Sequence, residues 1–186
     1  INGNNHRQGM LPGVILNDGL PANPDSTRFV VWKLKSDWES LPPGSERDRY
    51  ELIYNSWPMD IGAPYIDIDG NGQYTPGIDQ PNYIGDEVLY YVANDLDSAR
   101  TTFVYGAYPI GLEFQTTTFA FDRDDELDNV VYKKYHVINK GNNTVENMFL
   151  SYWHDIDLGN ANDDRTGSDS TLNLSYVFNE NENDLI

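Results

Sequence analysis

The chain has 186 residues and a formal net charge of −18, from 30 acidic and 12 basic residues. This length is enough for one domain with a real hydrophobic core, and an aromatic content of 13% argues against disorder. A charge of −18 repels phosphate backbones and anionic membrane surfaces, which argues against nucleic-acid binding, and it attracts divalent cations. There is no cysteine, so disulfides, thiolate catalysis and cysteine-based zinc sites are excluded.

A sequence can indicate membrane anchoring or export by two patterns, a long apolar run and a signal peptide. No run approaches the ~20 apolar residues that a transmembrane helix needs, so we expect no membrane insertion. The start, INGNNHRQG, lacks the basic and apolar regions of a signal peptide. We therefore expect the chain to be a fragment of a longer or processed protein.

The first part of the chain, residues 1–87, is rich in Pro, Gly, Asn and Asp and has few periodic segments. RFVVWKL, at 28–34, predicts a strand. LPPGSERDRYELIYNSWP predicts a short helix, with Ser45 as its N-cap, Asp48 as the capping-box partner and Pro58 as the stop. We expect a loop-rich region that contains one short helix.

The second part, residues 88–186, has the period-2 pattern of β-strands separated by Gly, Asn and Asp turns. In 111–122, one apolar-rich set alternates with Glu113, Gln115 and Thr117; that set is Leu112, Phe114, Thr116, Thr118 and Ala120. The predicted strands are 87–95, 111–122, 129–139, 145–153 and 171–179. The pattern predicts an all-β fold, an antiparallel β-sandwich-like domain with long loops and one short helix, in which both parts pack as one domain.

The acidic stretch DIDGNGQYTPGID, at 67–79, has the spacing of a calcium loop. Calcium takes six to eight oxygen ligands, and a calcium loop supplies them from alternate positions, with a glycine at position 6 and a backbone carbonyl at 7. Gly72 is at position 6, but position 12 is Ile78, so the closing carboxylate comes one residue late. The predicted Ca²⁺ ligands are Asp67, Asp69, Asn71, Gln73 and Asp79.

An ordinary polar turn is the alternative for this stretch, because Asp, Asn and Gly are also common turn residues. Strict alternation of three side-chain oxygens is more order than a turn requires. Clustered carboxylates also repel one another in the absence of a cation. Both arguments favour a calcium site.

A second acidic stretch, WHDIDLGNANDDRTGSDS, occupies 153–170. Its first two acids are two residues apart at the end of a predicted strand and would project to the same side. The alternative is a solvated loop with Arg165 as the local counter-charge. The candidate metal ligands are Asp155, Asp157, Asp163 and Asp164.

Catalytic and sugar-binding signals are weak. Glu113 and Asp155 could form a glycosidase pair, but with 30 acids such pairs arise by chance, and we expect no enzymatic activity. Aromatic side chains could form a sugar-stacking platform or could pack in the core, as they ordinarily do in β domains. The candidates are Trp32, Trp38, Trp57, Trp153, Tyr90 and Tyr91.

Four stretches, taken in order, carry a resemblance to a known group of proteins. They are YNSWPMDIGAPYIDIDGNGQYTPGIDQPNYIGDEVLYYVANDLD, YPIGLEFQTTTFAF, VVYKKYHVINKG and YWHDIDLGNANDDRTGSDSTLNLSYVFN. Together they resemble uncharacterised large extracellular proteins of Bacteroidota and relatives, often exported by type IX secretion. The resemblance implies export and extracellular or cell-surface residence, and it implies no known enzymatic activity.

Three classes of function remain open. The first is a structural or adhesive module of a surface protein or extracellular filament, stabilised by calcium, whose partners are other copies or domains of the parent protein. The second is a carbohydrate-binding module, with polysaccharide as partner, and the third is a catalytic domain acting on polysaccharide. We expect the first.

Three short Asp-Ser motifs resemble the O-glycosylation signal of Bacteroidota secreted proteins. The alternative is that each serine only caps or forms a turn. The candidate acceptors are Ser26, Ser98 and Ser170.

Overall fold

The computed structural model describes residues 10–152, 156–160 and 162–180. This part of the chain is mostly β, with two α-helices. The chain divides into two compact units, Ile1–Val145 and Glu146–Ile186. The boundary between the units thus falls after Val145.

In the residues that the structure describes, the first unit contains seven strands and both α-helices. The strands are β1 (Leu11–Pro12), β2 (Trp32–Lys35), β3 (Tyr65–Ile66), β4 (Gln80–Pro81), β5 (Glu87–Asn94), β6 (Leu112–Ala120) and β7 (Tyr132–Asn139). The helices are α1 (Ser45–Asn55) and α2 (Ser98–Tyr105). The second unit contains an antiparallel hairpin, β8 (Asp164–Asp169) and β9 (Leu174–Asn179).

The main sheet is antiparallel, with the order β1-β5-β6-β7, and β2 also pairs with β5. The strands β1 and β2 come from the loop-rich first part of the sequence, so residues on both sides of position 87 form one sheet. A separate two-stranded ribbon, β3–β4, lies between α1 and β5 in the chain.

The core lies against one face of this sheet. Its buried residues are Leu34, Trp38, Tyr50, Trp57, Ile61, Ala63, Val88, Tyr90 and Val92. The register places Gln115 opposite Val92 and Thr117 opposite Tyr90, and cross-strand partners share a face. The polar set of β6 therefore faces the core, and the apolar-rich set lies on the other face.

The helix prediction was correct in position and wrong at its start. Helix α1 begins at Ser45, and its N-cap is Gly44, which makes no side-chain cap. Gly44 has φ +158° and its carbonyl accepts the hydrogen bond from Asp48 N at 3.0 Å. The chain enters the helix through a conformation that glycine favours, so Ser45 is already in the first turn and no capping box forms with Asp48.

The prediction of a single short helix was also wrong, because α2 was missed. The Asp97 carboxylate caps its N-terminus by accepting from Arg100 N at 3.0 Å. Gly106 ends it with φ +67° in the left-handed region. A capping Asp and a C-terminal glycine are both readable in DSARTTFVYG, although the segment buries only Thr101 and has no clear apolar stripe.

The strand predictions were correct for β5, β6, β7 and β9, partly correct for β2, and wrong for 145–152. In 28–34, residues Thr27–Phe29 form a 3₁₀ turn and the strand begins only at Trp32. Residues 145–152 form no strand in the part of the chain that is described, and Trp153 lies outside it. The strand β8 was missed because its sequence, DRTGSD, has no apolar alternation.

Candidate functional site

The acidic loop 67–79 connects β3 to β4. These strands pair Tyr65 with Pro81 and Ile66 with Gln80, which brings the two ends of the loop together. Gly70 and Gly72 have φ values of +71° and +76°, with no atom near the position of a Cβ. The glycines thus let the chain reverse between the predicted ligands.

Three of the predicted ligands converge. Asp67, Asp69 and Asp79 each offer one carboxylate oxygen, and these oxygens lie within 4.8 Å of one another. In the described ranges this is the only group of three or more His, Cys, Asp or Glu residues with such geometry. Asp79 is fully buried, whereas the other two are exposed.

The carboxylate of Asp67 organises the first half of the loop. Its Oδ1 accepts from Gly70 N at 2.8 Å and Asn71 N at 3.2 Å, and its Oδ2 accepts from Gly72 N at 2.8 Å. Three backbone donors therefore point at one carboxylate, and this fixes the chain around it. A carboxylate can accept about four hydrogen bonds or metal bonds, so at least one site remains for a cation.

The other two predicted ligands, Asn71 and Gln73, are not part of the converging carboxylate group, and Asn71 hydrogen-bonds with both Gln73 and Asp69. Asn71 Nδ2 donates to Asp69 Oδ2 at 2.8 Å, and Asn71 Oδ1 accepts from Gln73 N at 2.7 Å. The Asn71 amide oxygen still has a second lone pair for a cation. The contribution of these two residues stays a prediction.

Asp79 closes the loop although it comes one residue later than the usual position. A turn at 75–79 accommodates the extra residue: Ile78 N and Asp79 N both donate to Thr75 O, and Gly77 has φ +82°. This turn leaves Ile78 48% exposed and directs Asp79 inward. Thr75 was not identified from the sequence, since no ligand pattern includes it.

The charge state of Asp79 follows from its partners. Its Oδ1 accepts from Ile68 N and its Oδ2 from Thr75 N, both at 2.7 Å. Burial raises the pKa of this carboxyl, but hydrogen bonds from Thr75, Ile68 and Asp69 outweigh it and hold the pKa below the ordinary value. Asp79 is therefore a buried anion at neutral pH.

The negative charge of the site affects the neighbouring residue Tyr65. Burial, and then the charges of Asp67, Asp79 and Asp69, raise the pKa of the Tyr65 hydroxyl. All three carboxylates therefore act on one side chain at the end of β3. Such a concentration of negative charge favours a bound cation.

An aromatic cluster attaches the loop to α1. Tyr54 Oη donates to Asp79 O at 3.3 Å, and Tyr74 Oη donates to Tyr54 O at 2.8 Å. The Tyr74 ring meets the rings of Tyr54 and Tyr65 edge-on, with centroids 6.5 and 5.9 Å apart. A ligand that holds the loop in this conformation would therefore also support its contacts with α1.

The second acidic stretch is only partly described. Asp155 lies outside the described residues, and Asp157 is exposed. Asp164 Oδ2 accepts from Leu158 N at 3.0 Å, and Asp163 Oδ1 is buried with no hydrogen-bond partner. Arg165, the proposed counter-charge, forms an ion pair with Glu180 instead. A metal at this stretch stays a prediction.

Glu113, the first carboxylate of the supposed glycosidase pair, is held by three donors. It is fully buried, and its Oε2 accepts from Lys140 Nζ at 2.6 Å and from Ile15 N at 2.7 Å. Its Oε1 accepts from Gln115 Nε2 at 3.0 Å. Asp155, the second carboxylate of the supposed pair, lies outside the described residues.

Three of the six aromatic candidates for sugar stacking are core residues. Trp38, Trp57 and Tyr90 are 7%, 3% and 1% exposed. Trp32 and Tyr91 are half-buried, and Trp153 is not described. The five of these rings that the structure describes therefore do not form an exposed platform.

The three candidate glycosylation serines differ in accessibility. Ser98 and Ser170 are exposed, in the first turn of α2 and in the β8–β9 turn respectively. Ser26 is half-buried and caps the 3₁₀ turn at Thr27–Phe29, with its Oγ accepting from Arg28 N at 3.2 Å.

Comparison with protein families, curated proteins and solved structures gives no match to this chain. Within the described ranges, neither helix combines the length and apolar character that crossing a bilayer requires.

Proposed function

We propose that this chain is a non-catalytic structural or adhesive module of a secreted or cell-surface protein, stabilised by a calcium ion in the loop 67–79. The observation that carries the proposal is the convergence of Asp67, Asp69 and Asp79 to within 4.8 Å. The sandwich-like arrangement that we expect for the whole domain belongs to the same proposal.

The chemistry of the ligands favours calcium over other metals. All the donors are oxygens, and hard cations such as Ca²⁺ and Mg²⁺ prefer oxygen, whereas zinc prefers Cys and His. Mg²⁺ demands a near-ideal octahedron and retains several waters, whereas Ca²⁺ accepts an irregular loop that supplies carboxylate, amide and backbone oxygens. A loop of Asp, Asn and Gly, with the Gln73 carbonyl as the predicted backbone ligand, suits Ca²⁺.

The position of the loop suggests what the ion does. Asp79 is joined to Tyr54 of α1, and both ends of the loop are joined through β3–β4. A cation shared by Asp67 and Asp79 would link the start of the loop to its end. It would also remove the mutual repulsion of three carboxylates, two of which lie in exposed positions.

Two further arguments support an extracellular, non-catalytic role. Extracellular calcium modules bind with Kd values of roughly 0.1–1 mM, which suits an ion that stabilises a fold rather than one that signals. The resemblance to large exported proteins points to the same location. We expect the partners to be other copies or domains of the parent protein.

Isothermal titration with CaCl₂, on protein stripped with EDTA, tests the proposal. The wild type should bind calcium, and Asp69→Ala should lose the loop site. Asp18→Ala is the matched control, because each aspartate is exposed and accepts from the backbone N–H two residues on, Asn71 N at 3.1 Å and Leu20 N at 3.0 Å. Equal heats for Asp69→Ala and Asp18→Ala would refute the loop as the site.

A further inference from the structure

Three adjoining cavities lie along the β6–β7 side of the main sheet, on its core-facing side. Their volumes are about 440, 420 and 320 Å³. The first two share Ile15, Asn17 and Lys140, and the last two share Gly62 and Gln115. We call them the polar groove; from Lys134 to Lys140 it spans about 20 Å at the rise of a β-strand.

The walls of the polar groove are fixed. Lys140 Nζ donates to Ile15 O at 3.0 Å while Glu113 Oε2 accepts from Ile15 N, so one ion pair holds both backbone groups of Ile15. At the far end, the Asp95 carboxylate accepts from the backbone N–H groups of 110–112. A groove with such anchored walls is formed before a ligand arrives.

The charged side chains that line the groove are largely neutralised by side chains of opposite charge. Glu113 is paired with Lys140, and Asp60 with Arg28. The remaining charged lining residues, Lys134 and Asp18, have opposite sign. The groove is thus close to neutral, and the chain around it carries −18, which repels polyanions.

Hydrogen-bonding side chains dominate the exposed lining. Asn17, Lys134 and His136 are exposed, so each of the three cavities opens to solvent. The polar lining residues include Asn17, Gln115, Lys134, His136, Lys140 and Asn142. They offer both donors and acceptors, which matches a ligand that is rich in hydroxyl groups.

We infer that the polar groove binds an extended, neutral, hydroxyl-rich chain, that is, an uncharged polysaccharide. Its length and openness fit several linked sugar units better than one small molecule, and its charge balance fits a neutral chain. This inference names the ligand of the adhesive module proposed above and rests on that part of the proposal. The groove and the loop 67–79 share no residue, so either can fail alone.

Native gel electrophoresis through soluble polysaccharides tests the inference, with calcium present throughout. The neutral probes are mixed-linkage β-glucan, arabinoxylan, galactomannan and soluble starch, and polygalacturonate is the anionic probe. We expect at least one neutral polymer to retard the protein. The double variant Asn17→Ala with Lys134→Ala should bind it about tenfold more weakly, since each change removes a hydrogen-bonding group from the groove.

The double variant Asn129→Ala with Arg100→Ala is the matched control, because it removes one amide and one positive charge from exposed positions outside the groove. It should migrate as the wild type does, and His136→Ala provides a second groove variant. Failure of all four neutral polymers, retardation by polygalacturonate alone, or equal loss in the control would overturn the inference. So would a dimer, detected by light scattering, that the groove variants abolish, because the groove would then bind a second copy.

Discussion

Lys140 Nζ lies 2.6 Å from Glu113 Oε2, although 27 residues separate them and Glu113 is fully buried. The Lys140 side chain is 33% exposed, so the pair joins the interior to the surface. The pair also binds both backbone groups of Ile15, which is near the start of the unit's sequence, whereas Lys140 is near its end.

Removing the lysine should therefore destabilise the fold strongly. Lys140→Met leaves a buried carboxylate without its counter-charge, and we expect a loss of about 3 kcal/mol in the free energy of unfolding. Lys33→Met is the control, because the Lys33–Glu87 pair is partly exposed on both sides and its loss should cost less than about 1 kcal/mol. Urea denaturation measures both. Equal losses in the free energy of unfolding would mean that burial of Glu113 does not make the Lys140–Glu113 pair contribute more than an exposed pair.

Replacing Glu113 with Gln in the Lys140→Met variant separates the effect of the unpaired charge from the effect of lost side-chain packing. The double variant Glu113→Gln with Lys140→Met removes the unpaired charge and should recover a large part of the stability that Lys140→Met loses. No recovery would show that lost packing of the lysine chain, and not the unpaired charge, causes the loss.

Gly62 is expected to tolerate no side chain. It has φ +99°, and a Cβ there would lie 2.3 Å from the Gln115 amide. That amide cannot move freely, since it donates to Glu113 at 3.0 Å and lies 3.1 Å from His136 Nδ1. Gly62→Ala should therefore lose these contacts as well as strain the backbone.

Gly19→Ala is the control for Gly62→Ala, because Gly19 has φ +81° with no atom within 4 Å of its Cβ position. It isolates the backbone strain of about 1 kcal/mol. We expect Gly62→Ala to cost roughly 1–2 kcal/mol more than Gly19→Ala in thermal or urea denaturation. A difference near zero would mean that Gln115 moves without loss.

Glycosylation is expected first at the two exposed serines. Ser98 and Ser170 are accessible, whereas the Ser26 hydroxyl is engaged in capping. Intact mass spectrometry of natively produced protein should show added sugar mass, which Ser98→Ala and Ser170→Ala should reduce. A spectrum with the polypeptide mass alone would exclude modification at all three positions.

The parts of the fold that the sequence predicts well are those with local signals. The strand β5 is visible in the sequence as a continuous apolar and aromatic run, although the alternation that buries Val88, Tyr90, Val92 and Asn94 is seen only in the structure. The loop 67–79 is similar, because its ligand spacing and its glycines lie within thirteen residues.

The parts that the sequence does not predict depend on distant partners. The core-facing position of Glu113 is explained by Ile15 and Lys140, which no period-2 pattern reveals. The sequence names Asp79 as a ligand but does not predict its burial, which depends on the Thr75 turn and the β3–β4 ribbon. In both cases an acid takes a buried position because hydrogen-bond donors of the folded chain satisfy it.

The melting temperature in EDTA and in calcium tests the central proposal most directly. With a Kd of roughly 0.1–1 mM, about 10 mM CaCl₂ should add about 1.4–2.7 kcal/mol. This corresponds to a rise of about 3–10 °C for a chain of this size, absent in Asp69→Ala and present in Asp18→Ala. If the wild-type melting curves in EDTA and in calcium superimpose, the loop 67–79 is an ordinary polar turn and the proposed calcium site does not exist.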